Sequence, residues 1–185
     1  MRVITGTARG TNLKTPEGMH TRPTADRVKE ALFNVIQYEI RGEVLDLFAG
    51  TGQLGIEALS RGAAHAVFVD QCADAVGLVR ENLRRTHLSD RAEIYCGDYL
   101  AYLDRCTKRF DLIFLDPPYA EKSLENAILR ISEIDILADG GIIITERPRG
   151  KLLELELPGL TRSKDYNYGK TTITLFRRES REDIA

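Results

Sequence analysis

Residues 43–70 read EVLDLFAGTGQLGIEALSRGAAHAVFVD, and this stretch decides the fold. Two continuous apolar runs, Glu43–Phe48 and Ala64–Asp70, flank a glycine turn and a short helical segment at 53–61. A strand that is apolar along its whole length, with no polar alternation, is one buried on both faces, which is the signature of a parallel sheet covered by helices. Working outward, the rhythm repeats. A helix is predicted over 72–86, a strand over Ala92–Cys96 and a helix over 99–106. The strand Phe110–Leu115, a helix over 122–135 and the strand Gly141–Thr145 follow. Right-handed crossovers then give a doubly wound α/β fold. The end departs from this pattern: Thr161–Tyr168 and Thr171–Arg177, separated by Gly169 and Lys170, read as a closing antiparallel hairpin. Upstream, Thr24 is expected to cap a helix in which Val28, Ala31, Leu32, Val35 and Ile36 fall at helical spacing through about Tyr38. Before it, Val3-Ile4-Thr5 and Leu13 lie in short strand-like pieces broken by Gly6, Gly10, Pro16 and Gly18. The expected organisation is a basic arm with a short hairpin over 1–30 and one compact domain over 31–185.

The chain has 185 residues, 29% of them charged and 43% hydrophobic, which suits one globular domain and excludes a disordered or collagenous chain. Cys72, Cys96 and Cys106 form neither a disulfide framework nor a zinc spacing, and His20, His65 and His87 are too scattered for a metal site; no metal is expected. The opening MRVITGTARG lacks the apolar core of a secretory signal, and no apolar run approaches the roughly 20 residues of a membrane span, so a cytoplasmic location without membrane association is expected. A net charge of -2 argues at first sight against a nucleic-acid partner, but it is an average. Residues 1–30 carry six basic side chains against three acidic ones, whereas residues 31–100 carry six against ten.

Gly50-Thr51-Gly52-Gln53-Leu54-Gly55 fits the GxGxxG pattern of nucleotide-binding turns, and Asp70 stands where a ribose-binding acid belongs. The same glycines could serve only to pack a helix on a strand, or to bind a nicotinamide dinucleotide. Asp46, at the end of the first strand, discriminates between ligands. A carboxylate there repels a pyrophosphate and suits the ammonium of S-adenosylmethionine (SAM), which carries no phosphate. Asp98 fits an acceptor for the adenine amine or, equally, a helix N-cap. Asp116-Pro117-Pro118-Tyr119 ends the fourth strand beside this loop. Consecutive prolines remove two backbone donors and leave carbonyls facing the crevice. The Asp116 carboxylate and the Pro117 carbonyl can each accept one N–H of a planar exocyclic amine, and Tyr119 offers a face for a flipped base.

These residues resemble the SAM-dependent amino-methyltransferases. With Arg2-Val3-Ile4-Thr5-Gly6, Ala8-Arg9-Gly10 and the block Arg22–Asn34 (RPTADRVKEALFN), about 180 residues are similar to the RsmD-type 16S ribosomal RNA guanine-N2 methyltransferases. The resemblance implies a Rossmann-like class I SAM-dependent methyltransferase fold, α/β, with a seven-stranded, mostly parallel sheet whose last strand is antiparallel. It implies SAM as cofactor, released as S-adenosylhomocysteine, with Asp46, Phe48, Ala49, Gly50, Gly52, Asp70 and Asp98 around it. Asp116, Pro117 and Tyr119 are implied at the target amine. The implied partner is 16S rRNA in a small ribosomal subunit or assembly intermediate, met by a monomer through Arg9, Arg22, Thr24, Arg27 and Lys29. Arg147, Arg149 and Lys151 are further basic residues, more simply read as a solvated loop. The rivals are a DNA adenine-N6 methyltransferase, which shares the Asp-Pro-Pro-Tyr chemistry but needs a target-recognition domain, and a non-catalytic nucleotide-binding module.

Overall fold

The computed structural model describes residues 1–16, 23–118, 122–151, 153, 155 and 157–178, with backbone alone for 23–25. Helix α1 is Pro23–Val35, followed by strand β1 Glu43–Asp46, helix α2 Gln53–Ser60, strand β2 His65–Asp70 and helix α3 Ala73–Thr86. A 3-10 turn at Ser89–Arg91 leads to β3 Ala92–Cys96, α4 Tyr99–Leu103, β4 Phe110–Leu115, α5 Ser123–Ile134 and β5 Leu137–Pro148. Three strands end the chain: β6 Leu160–Arg162, β7 Tyr166–Tyr168 and β8 Thr171–Arg178. The sheet order is β3-β2-β1-β4-β5-β8-β6, with β7 also on β8. Strands β1 to β5 are mutually parallel, and β8 runs antiparallel to β5.

The apolar runs form a sheet buried on both faces because successive side chains alternate between faces. Val44, Ala66, Phe68, Leu112 and Phe114 pack with Leu32, Phe33, Ile56, Leu59, Val79 and Leu83 of α1 to α3 and with Ile36 just after α1. Their neighbours Leu45, Val67, Val69, Ile113 and Leu115 pack on the opposite side with Leu103, Leu124, Ile128 and Ile131 of α4 and α5.

The structure has eight strands where seven are expected, because one edge position is split. β6 and β7 occupy successive lengths of the same edge of β8, Leu160 opposite Arg178 and Tyr168 opposite Thr171. Between them Asp165 turns inward, accepting from Thr174 Oγ1 and pairing with the buried Arg147. The closing turn at Gly169 and the antiparallel β7–β8 pairing lie where the sequence places them. Helix α1 starts at Pro23, one residue before the expected Thr24 cap. A proline suits that first position because its missing N–H has no acceptor within the helix. Strand β5 starts at Leu137 rather than Gly141, through a register shift against β4.

The first sixteen residues are bolted to the body. Arg2 bridges Asn12, and Val3, Ala8 and Leu13 are buried. The fully buried Glu57 of α2 accepts the backbone N–H groups of Ile4 (2.8 Å) and Thr5 (3.0 Å), and Ser60 Oγ accepts that of Ala8 (3.0 Å). Among the described residues, no helix is long and apolar enough to cross a membrane.

Candidate active site

The carboxyl ends of β1 and β4 are neighbours although far apart in sequence, and this reversal of strand order opens a crevice at the top of an α/β sheet. A cleft of about 480 Å³ lies there. Its walls include Leu47, Phe48 and Gly50 after β1, Asp70 and Gln71 at the end of β2, Gly97, Asp98 and Tyr99 after β3, and Asp116, Pro117, Pro118 and Ser123 after β4.

The glycines of the turn divide their work. Gly50 has a left-handed backbone (φ 54°), and a Cβ placed on it would meet nothing within 4 Å, so conformation and an open cleft face account for it. Gly55 is a packing glycine: a Cβ there would fall 2.4 Å from the Phe68 ring, which seats α2 on β2. The loop is held by carboxylates. Asp70 Oδ2 accepts from Gly50 N (2.8 Å) and its Oδ1 from Cys72 N (2.9 Å), leaving further lone pairs toward the cleft. Asp46 Oδ2 accepts from Gly55 N (3.0 Å). Asp46, Ala49 and Gly52 do not line the cleft themselves; Ala49 and Gly52 fix the turn through Ala49 N to Val69 O (2.9 Å) and Gly52 N to Ala49 O (2.7 Å).

Burial pushes the Asp46 carboxyl up to about 7, against the Gly55 N–H bond, and the charge of Asp70 adds to the rise. Asp116 is raised well above the usual carboxylate range, first by burial and then by the charges of Glu146 and Asp46. Glu146 comes beside Asp116 because Leu115, the last residue of β4, is the register partner of Thr145 in β5, and its Oε1 accepts from Thr171 Oγ1 (3.4 Å). Carboxylates that crowd one another are relieved by a cationic ligand and opposed by an anionic one. The donor set therefore fits SAM and disfavours a dinucleotide pyrophosphate. Asp98 is exposed and caps α4, its Oδ1 accepting from Ala101 N (3.0 Å), while it also lines the cleft. Beside it the Phe48 and Tyr99 rings stand 5.0 Å apart and form an aromatic wall of the cleft.

Of the residues expected at RNA, Arg9 and Arg27 are exposed. Arg22, like Tyr119, lies outside the described residues, as does the side chain of Thr24. Lys29 corrects the expectation. It is 3% exposed, donates to Arg2 O (2.7 Å) and faces Glu57 at 3.7 Å, so its charge is spent inside the protein. Arg147 is likewise buried on Asp165 and is not part of a solvated loop. Sequence reasoning missed Gln71, Tyr99, Ser123 and Glu146. None sits in a motif, and only the end-of-strand position of Glu146 could have marked it.

A family model described as "Conserved hypothetical protein 95" matches residues 1–177. The chain belongs to this family. It is 42% identical to YlbH of Bacillus subtilis over 186 residues, spanning 96% of this chain and 99% of that protein. With the ribosomal RNA small subunit methyltransferase D of Haemophilus influenzae it shares 36% identity over 157 residues, covering 83% and 81%. The solved structure of yhhF from Escherichia coli matches with a TM-score of 0.87 at 31% identity, covering 98% and 99%. By family the chain groups with methyltransferases, and its fold is that of the class I SAM-dependent methyltransferases.

Proposed function

We propose that the protein methylates the exocyclic N2 amine of one guanine in 16S rRNA, using SAM, and that it acts as a monomer on a small ribosomal subunit or an assembly intermediate. The observation that carries this reading is the placement of Asp116 and Pro117 on the wall of the acid-lined cleft, one strand from the glycine turn. The small-subunit rRNA target named for the Haemophilus relative supports the substrate class.

Gly50 and Asp70 would hold the ribose side of SAM, Phe48, Tyr99 and Asp98 the adenine, and Asp46 would favour the ammonium by charge from behind the wall. When bound, SAM supplies a methyl group made electrophilic by its sulfonium. The chain's own residues supply position. Asp116 and the Pro117 carbonyl each accept one N–H of the amine, turning its lone pair into the cleft. Tyr119 is assigned the stacking role from sequence. An aromatic amine is a poor base, so its proton becomes acidic only after alkylation, and an Asp116 carboxylate oxygen then takes it. Most of the acceleration is orientation, which is worth several kcal/mol when reacting atoms are held together.

The test is transfer of labelled methyl from SAM to small subunits lacking the modification, with naked rRNA and DNA as controls. Asp116→Ala should abolish transfer while SAM still binds by calorimetry. Wild-type transfer rates in that variant, or label in DNA alone, would overturn the reading.

A further inference from the structure

Asn82 of α3 is completely buried yet is not on the cleft wall. Its amide is fully used. Oδ1 accepts from Lys14 N (2.7 Å), and Nδ2 donates to Lys14 O (3.0 Å) and to Thr51 O (2.9 Å). This pattern is selective: a carboxylate keeps the acceptor but has no donor for the two carbonyls, and an apolar side chain satisfies none of the three. Thr51 is the middle residue of the glycine turn, between Gly50 and Gly52, which both have left-handed backbones. The turn is therefore held from two directions. Asp70 and Asp46 grip Gly50 N and Gly55 N from the β-strand side, and Asn82 grips Thr51 O from α3. The same amide clamps both backbone groups of Lys14, in the N-terminal segment that also reaches the turn through Met1 Sδ and Thr51 Oγ1 (3.5 Å).

We infer that Asn82 is a positioning residue for the cofactor turn, and that through it the docking of the N-terminal segment and the occupancy of the cleft are coupled. The inference rests on the cofactor reading above. Fixing Thr51 O orients the Thr51–Gly52 peptide, and with it the entry into α2. A turn ordered by SAM holds Asn82 more firmly, and Asn82 in turn holds Lys14. Coupling of this kind is reciprocal, so release of the segment loosens the turn to the same extent in free energy.

Two measurements test it, with S-adenosylhomocysteine as the probe. In the wild-type protein, saturating probe should slow hydrogen exchange of the Lys14 amide by at least about fivefold, although that amide lies outside the cleft. Unchanged exchange overturns the coupling and requires no variant to fold. In Asn82→Asp, probe affinity measured by calorimetry should fall on the order of 10- to 100-fold, the cost of leaving buried carbonyls unpaired. The Lys14 amide should no longer respond to the probe, and kcat at saturating SAM should stay within about threefold of wild type, with the loss confined to KM. Wild-type affinity in folded Asn82→Asp overturns the positioning role alone, whereas failure of the wild-type protein to bind the probe overturns the cofactor reading itself.

Discussion

Asp116 stands in a partly buried corner with two neighbours of its own sign, Glu146 and Asp46, and this crowding has a sign that can be measured. Below its raised pKa Asp116 is protonated and is a weaker acceptor for the amine hydrogens, so methyl transfer should fall on the acid side. Glu146→Gln removes the charge with the larger influence on Asp116 while keeping an acceptor for Thr171. Its acid limb should therefore move to lower pH in a kcat-against-pH profile, and an unmoved or upward-moved limb contradicts the assignment. Asp46 makes the complementary case in stability. Its folded pKa of about 7 lies above the ordinary 3.8. Between those values the folded state binds more protons than the unfolded one, so stability is greatest below pH 4 as far as this group is concerned and is lost as pH rises through 7. Asp46→Asn keeps an acceptor for Gly55 N–H and removes the buried charge. At about 1.4 kcal/mol per pKa unit, the variant should gain up to about 4 kcal/mol at pH 8 and almost nothing at pH 3 in denaturant titrations. The same change should weaken SAM binding.

At the scale of elements, α2 joins the site to the N-terminal segment: its first residues follow the glycine turn, and its last turn carries Glu57. The Glu57 carboxylate collects Ile4 N, Thr5 N, the Arg61 guanidinium (2.8 Å) and the Lys29 ammonium (3.7 Å), and the three charged side chains have little or no solvent. Burial lowers the Lys29 pKa and the Glu57 charge opposes that fall, so each ion is tolerated because of the other. Glu57→Gln should destabilise the protein by about 3–5 kcal/mol by leaving a buried ammonium without its partner, and adding Lys29→Met should recover part of that loss. Additive losses in the double variant would show that the pair does not act as a unit. This pair also marks where sequence reading stops. β1, β2 and β4 were legible because burial on both faces forces unbroken apolar runs, and the glycine turn because left-handed backbone and close helix packing each require glycine. Lys29 was misassigned because a lysine has the same letter whether its charge faces RNA or a buried carboxylate. β6, only three residues long, carries no period, and its separation from β7 depends on Asp165 meeting an arginine eighteen positions earlier in the chain. Tyr99 reaches the cleft, and Glu146 the side of Asp116, through strand order, which a linear pattern does not contain.

Over the whole molecule, the charge of -2 averages regions of opposite sign. The acids Asp46, Asp70, Asp98 and Asp116 gather at the carboxyl ends of four strands, where they suit a cation and an amine. Arg2, Arg9, Lys14 and Arg27 are exposed in the first thirty residues, with Lys29 withdrawn from them into the interior. A protein built this way should answer salt in two ways. Phosphate contacts release condensed cations, so the affinity for 16S rRNA at fixed magnesium should fall steeply and linearly on logarithmic axes as salt rises. Each contact removed should flatten that slope by about 0.7 to 0.9. Arg9→Ala and Arg27→Ala should each do so, while Lys29→Met should leave the slope unchanged in whatever fraction stays folded, because its ammonium meets no phosphate. Binding of S-adenosylhomocysteine, which carries no phosphate, should change far less over the same range. If the RNA slope is flat, or if Lys29 alters it as much as Arg9 does, the exposed N-terminal cations are not the RNA-binding surface, and the separation of charge argued here has no role in substrate recognition.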